Sequence, residues 1–124
     1  MRVYIAGPMR GYPKFNFPAF YQAEEDLLAA EDIIVTKVFN PAKHDVSIFP
    51  DIFLWEGFED GDLSRCPKFV LKDALKWDLA RVMESDFILM LPEWEHSTGA
   101  TLEYNVAVNC GVEVRLWGDP DALR

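Results

Sequence analysis

Cysteine is scarce in this chain. There are two, Cys66 and Cys110, with no CxxC pairing and no metal-ligand spacing, so neither a disulfide scaffold nor a zinc ribbon organises the fold. One bridge between them stays open, but two free thiols in a reducing cytoplasm are the expected state. Histidine is equally rare, and His44 and His96 belong to no ligand cluster, so no metal is expected. Long apolar runs are missing. The opening run, Arg2 to Ala6, is too short for a secretory signal, and no later stretch is long enough to span a bilayer. A cytoplasmic location without membrane contact is therefore expected. Lys and Arg form no run and total 12 against 21 Asp and Glu, a formal charge of −9. A field of that sign repels nucleic-acid backbones, while a small anionic ligand held by a few local donors remains compatible with it. Repeats and low-complexity segments are absent as well.

What is present is apolar content. Half of the 124 residues are hydrophobic, enough for one core in one domain over 1–124. Arg2 to Ala6, ended by Gly7-Pro8, predicts a buried strand. A Gly- and Pro-containing loop follows to Asn16, a candidate cap for a helix from Phe17 to about Ala30, with Phe20, Ala23, Leu27 and Ala30 at helical spacing. Ile33 to Phe39 is β-branched and predicts a second strand ended by Asn40-Pro41. An irregular, aromatic-rich insert occupies about 44–68, with Phe49, Phe53, Leu54, Trp55 and Phe58. It reads equally as a cover for a ligand or as a local mini-core.

Phe69 to Glu84 predicts a helix with Leu71, Ala74, Leu75, Leu79, Val82 and Met83 as its apolar stripe. Phe87 to Leu91 predicts a central strand buried on both faces. Gly99 to Asn109 predicts a helix capped by Ser97 or Thr98, with Leu102, Val106 and Ala107 inward and Gly111 at its end. Val112 to Trp117 closes the pattern as a strand. Strands alternating with helices predict an α/β fold: a doubly wound, mainly parallel sheet of four to five strands with helices on both faces, of the flavodoxin or Rossmann kind. Such sheets bind ligands beyond the carboxyl ends of their strands, at the switch point. Here that means the loops Gly7–Arg10 and Glu93–Gly99.

The segment Ser97-Thr98-Gly99-Ala100-Thr101-Leu102-Glu103 carries the chemistry. Hydroxyls and a glycine at a helix N-terminus make an anion site of free N–H groups. Glu103 lies one turn further in, where the helix field is expected to keep it ionised. An ionised carboxylate beside a sugar is a nucleophile for an anomeric carbon.

Taken together, Tyr4-Ile5-Ala6-Gly7-Pro8-Met9-Arg10-Gly11, Asn16, Phe20, Asn40-Pro41 and Leu91-Pro92-Glu93-Trp94-Glu95-His96-Ser97-Thr98-Gly99-Ala100 with Glu103 resemble small phage and bacterial proteins. These look like a branch of the nucleoside 2-deoxyribosyltransferase superfamily, related to the deoxynucleoside 5′-monophosphate N-glycosidases. The resemblance covers about 1–43 and 70–117. It implies cleavage or transfer at the N-glycosidic bond of a 2′-deoxynucleoside or its 5′-monophosphate, through a covalent deoxyribosyl intermediate and with no cofactor. It implies Glu103 as nucleophile, Tyr4 orienting it, and Asp78 handling the proton on the departing base. Gly7, Pro8, Met9, Arg10 and Gly11 would wrap the substrate, with Ser97 and Gly99 at its phosphate. It also implies a homodimer or larger assembly, and leaves the pathway open between nucleotide salvage and phage remodelling of host nucleotides.

The sequence departs from those glycosidases in one respect: no serine follows Ser97, where they use a further phosphate-binding serine. Each assignment has a structural alternative. Tyr4 is otherwise a core tyrosine, Arg10 a solvated charge, Asp78 an exposed helix residue and Ser97 a cap. Trp94 reads as packing rather than as a base platform. At the level of function the alternatives are a non-catalytic nucleotide-binding module, such as one capturing a signalling nucleotide, and a docking protein that uses the aromatics of 49–58.

Overall fold

The structure, a computed structural model, describes residues 1–50 and 71–124. In chain order the elements are β1 (Arg2–Ala6), α1 (Phe17–Ala29), β2 (Lys37–Phe39), α2 (Pro41–Ile48), α3 (Leu71–Met83), β3 (Phe87–Met90), α4 (Thr98–Asn109) and β4 (Glu113–Leu116). The four strands form one all-parallel sheet in the order β2-β1-β3-β4. This is the expected doubly wound α/β architecture. The chain leaves β1 toward β2 on one side and returns to β3 on the other, so the switch point lies between the carboxyl ends of β1 and β3.

Strand alternation sorts the core into two layers. Val3 and Ile5 of β1, with Phe87 and Leu89 of β3, face α1 and pack on Phe17, Phe20, Ala23 and Leu27. Tyr4 and Ala6, with Ile88 and Met90, face the opposite side and pack on Val82 of α3 and on Ala100 and Ala107 of α4. Both faces of β1 and β3 are covered, which is why these strands read as unbroken apolar runs. The same alternation sends the Tyr4 side chain toward the two helices that carry Asp78 and Glu103.

Several elements differ from the sequence reading. β2 keeps three residues of the expected seven. Thr36 instead donates its backbone N–H to the Met1 carbonyl, and Ile34 is 80% exposed, so the β-branched run outlasts its sheet partner. Residues 41–48, read as the close of a strand and the start of an irregular segment, form α2. Pro41 suits its first turn, and the Asn40 side chain accepts the Ala42 N–H at 3.0 Å as its cap. Asn16 stands at the cap position of α1 but makes no side-chain capping bond. Its φ is 60°, following 54° at Lys14 and at Phe15, and a capping side chain needs extended backbone.

In α4 the inward stripe is Ala100, Glu103 and Ala107, while Leu102 turns outward. Small residues let this helix approach the sheet, and the largest apolar side chain lies off that line. In α3, Val82 is buried while Met83 is exposed. Phe53, Leu54, Trp55, Phe58 and Cys66 lie outside the described residues; Phe49 ends α2 and packs on the α1-side core.

Candidate functional site

Above the switch point is a cavity of about 210 Å³. Its walls come from the loop after β1, the start of α2, the inner face of α3, and the loop and first turns of α4. Tyr4, Gly7, Pro8, Met9, Arg10, Asp78, Ser97, Gly99 and Glu103 all line it, so these residues from four separate segments converge on one space. Gly11 does not line it; its φ of 78° is the backbone reason for a glycine there.

Local packing explains how the loops are placed. At Gly7 a Cβ would lie 2.7 Å from the Leu91 Cβ. The Leu91 N–H donates to the Ala6 carbonyl at 2.7 Å, which draws the exits of β1 and β3 together and leaves no room for a side chain. Gly99 is different, since a Cβ there would meet its nearest atoms at 3.9 Å. Across the mouth, the exposed Tyr12 hydroxyl donates to Glu93 at 2.6 Å and ties the two loops. Phe15, nearly fully buried, and Phe20 supply an apolar wall opposite Ala74 and Leu75.

Ser97 caps α4: its hydroxyl oxygen accepts the Ala100 N–H at 3.1 Å. The N–H groups of the first helical turn are left to meet a ligand beside Gly99. Arg10, exposed, makes no ion pair among the described residues. Trp94 stacks on Tyr104, with ring centroids 4.6 Å apart, and serves packing as expected. His44 stacks on Trp77 at 3.7 Å. Among the described residues no cluster of three side chains is placed to hold a metal.

The floor of the cavity is acidic and buried. Tyr4 is fully buried and Glu103 is 5% exposed. Tyr4 Oη, Glu103 Oε2 and Asp78 Oδ1 are all buried without a hydrogen-bond partner among the described residues. The Tyr4 hydroxyl lies near both carboxyls, close enough to favour their ionised forms but short of hydrogen-bond geometry. A third acid, Asp45 of α2, joins them; it is 6% exposed and lines the same space. Sequence reading missed it because α2 was missed. The available signal was helical spacing after an Asn-Pro start, which puts Asp45 on the same side as Ala42.

Burial sets the protonation of this cluster. It pushes Glu103 well above the usual carboxylate range, with repulsion from Asp78 added, an opposing effect from the Tyr4 hydroxyl, and a smaller repulsion from Asp45. Burial raises Asp78 to about 7, again opposed by Tyr4. It raises Asp45 to about 8, reinforced by the charge of Asp78. Tyr4 is pushed well above its ordinary value by burial and then by Glu103 and Asp78. The expectation that the helix field keeps Glu103 ionised is therefore corrected. Glu103 is the sixth residue of α4, beyond the first turn where that field acts, and desolvation dominates.

Fold and site together define a class: an α/β protein with a switch-point pocket that combines a helix N-terminus with a buried acid cluster. Within that class, the chain belongs to DUF4406, a family described as a domain of unknown function, whose model matches residues 1–116. No curated protein and no solved structure matches the chain.

Proposed function

We propose that this protein cleaves or transfers the N-glycosidic bond of a 2′-deoxynucleoside or deoxynucleoside 5′-monophosphate, with Glu103 as nucleophile. The observation that carries the reading is the buried cluster of Glu103, Asp78 and Asp45 around Tyr4, which has no cation among the described residues. Such a cluster is poorly matched to a neutral ground state. It is well matched to a transition state in which C1′ becomes positive, since that charge supplies the missing counter-ion and favours ionised Glu103. The 2-deoxy sugar lacks an electron-withdrawing hydroxyl, so its cation forms more readily.

In the first step Glu103 loses its proton to solvent as substrate binds, a carboxylate oxygen then bonds to C1′ as the bond to the base nitrogen breaks, and Asp78 gives a proton to that nitrogen. In the second step water or another base attacks C1′ and releases Glu103. Tyr4 holds the carboxylate in line. The N–H groups at the start of α4, Ser97 and Arg10 suit an anionic 5′ group. Phe15 and Phe20 offer an apolar surface to the rest of the ligand.

The test is chromatography of free base released from each deoxynucleoside and its 5′-monophosphate, with and without an acceptor base, for wild type and Glu103→Ala. Release by the wild type that disappears in the variant supports the reading, and a new nucleoside formed with acceptor selects transfer over hydrolysis. No release from any substrate, with nucleotide binding retained, replaces it with a non-catalytic nucleotide-binding module.

A further inference from the structure

Asp45 has no part in the two-carboxyl scheme, yet it is among the most buried charged side chains described. It enters the cavity from α2, facing Asp78 from α3, Glu103 from α4 and Tyr4 from β1. Among the described residues no cation pairs with it. On α2 itself, Lys43 is engaged with Glu24 of α1, and His44 is stacked on Trp77. Arg10 and His96 line the cavity from the loops, and neither appears among the ion pairs of the described residues. On α3, Arg81 pairs with Glu84 at 3.1 Å through a terminal nitrogen, while its buried Nε has no partner among the described residues. Asp78 presents a buried Oδ1 with no partner to the same space. Two buried carboxyls without a cation cannot both ionise cheaply, and retaining one proton between them removes the repulsion.

We propose that Asp45 and Asp78 hold one proton as a pair, and that this shared proton is the one passed to the departing base. The inference rests on the glycosyl chemistry proposed above. As the C1′–N bond breaks, its electron pair goes to the base nitrogen, which takes the proton from Asp78. The pair is left doubly ionised beside a sugar carbon now bonded to Glu103. In hydrolysis the attacking water gives its oxygen to C1′ and a proton back to the pair, and Glu103 leaves as carboxylate. Asp45 acts through Asp78, so it is a positioning residue: it titrates higher than Asp78, at about 8 against about 7, so it holds the proton at rest beside ionised Asp78 and passes it on through Asp78 as the base departs.

Carboxyl carbon NMR of the full chain labelled at aspartate, titrated for wild type, Asp45→Asn and Asp78→Asn, reads the pair without requiring turnover. In wild type the two carboxyls titrate in coupled steps, the upper one in the neutral range. In Asp78→Asn, Asp45 titrates at clearly lower pH because the charge that raises it is gone, and in Asp45→Asn the upper step is lost and Asp78 titrates in a single step; using both variants covers the case in which one fails to fold. Titration of Asp45 that is identical with and without Asp78 overturns the pair. Base release against pH is the second reading. Its alkaline limb moves to lower pH in Asp45→Asn, and for every pH unit that the limb moves, release on the alkaline side falls about tenfold further. A uniform loss at every pH, with the limb in place, marks a purely structural role and overturns the proposal. A wild type that releases no base defeats the glycosyl reading and the proton's destination, while the NMR result still decides whether the pair exists.

Discussion

The Tyr4 hydroxyl faces the Glu103 carboxyl at the buried floor of the pocket, and among the described residues neither Tyr4 Oη nor Glu103 Oε2 has a hydrogen-bond partner. A buried polar group left unpaired costs about 1–3 kcal/mol, so this arrangement opposes stability. Tyr4→Phe removes the unpaired hydroxyl and keeps the ring. Its thermal unfolding midpoint is expected to equal or exceed that of wild type. Base release is expected to fall on the order of 10- to 100-fold, the size of effect associated with misplacing a reacting group. A calorimetric scan beside the release assay checks both. A variant that is less stable and equally active would contradict both halves.

Raised carboxyl pKa values fix the sign of the pH dependence of stability. Asp45 and Asp78 rise to about 8 and about 7 in the folded protein against about 3.9 in an unfolded chain. Between those limits the folded state holds more protons, so its stability is fully present below about pH 4 and is lost as pH rises through 7 to 8. Each such group contributes at most about 1.4 kcal/mol per pH unit. Urea unfolding at pH 5.5 and pH 8.5 is expected to show the higher midpoint at pH 5.5, with the difference smaller in Asp45→Asn. A higher midpoint at pH 8.5 would reverse the sign and refute the assignment.

The sequence pattern made much of this site legible, and the reasons are physical. Burial on both faces of β1 and β3 produces apolar runs, and helices between strands force parallel pairing, so the sheet and its switch point follow from patterning alone. Tyr4 and Asp78 were singled out by the family resemblance rather than by pattern, and their convergence with Glu103 on one cavity depends on the tertiary fold. The α4 stripe was misread because large apolar side chains are the usual inward residues, whereas Ala100 and Ala107 face the sheet and Glu103 shares their line. Asp45 was not legible because Asn40-Pro41 marks the end of a strand as readily as the start of a helix. The protonation of Glu103 depends on tertiary burial, which its position in the helix does not reveal.

Two glycines at the rim are expected to behave oppositely when replaced by alanine. At position 7 the added Cβ meets the Leu91 Cβ at 2.7 Å, and Leu91 is fully buried. Gly7→Ala is therefore expected to cost about 1–3 kcal/mol, the range for overpacking a tight contact. At position 99 the nearest atoms lie at 3.9 Å, and alanine suits a helix better than glycine by up to about 1 kcal/mol. Gly99→Ala is expected to be as stable as wild type or more so, yet to bind nucleotide more weakly because the methyl group enters the cavity. Denaturant midpoints together with calorimetric titration of a deoxynucleoside 5′-monophosphate separate the two effects. Equal stability loss at both positions would show that the space beside Gly99 is not open.

Ser97 separates capping from anion binding. Its hydroxyl oxygen accepts the Ala100 N–H at 3.1 Å, and its own proton is free to be donated to a ligand. Ser97→Ala loses both functions and is expected to destabilise α4 by about 1 kcal/mol. Ser97→Asp keeps a capping acceptor and places a negative charge at the helix N-terminus, so stability is expected to be held. That charge repels an anionic 5′ group, and affinity for a deoxynucleoside 5′-monophosphate is expected to fall at least tenfold, with the matching nucleoside much less affected. Titrating both ligands against the two variants gives four affinities. If Ser97→Asp weakens nucleoside and monophosphate equally, the start of α4 does not contact the 5′ group and the anion lies elsewhere along the rim, with Arg10 the next residue to test.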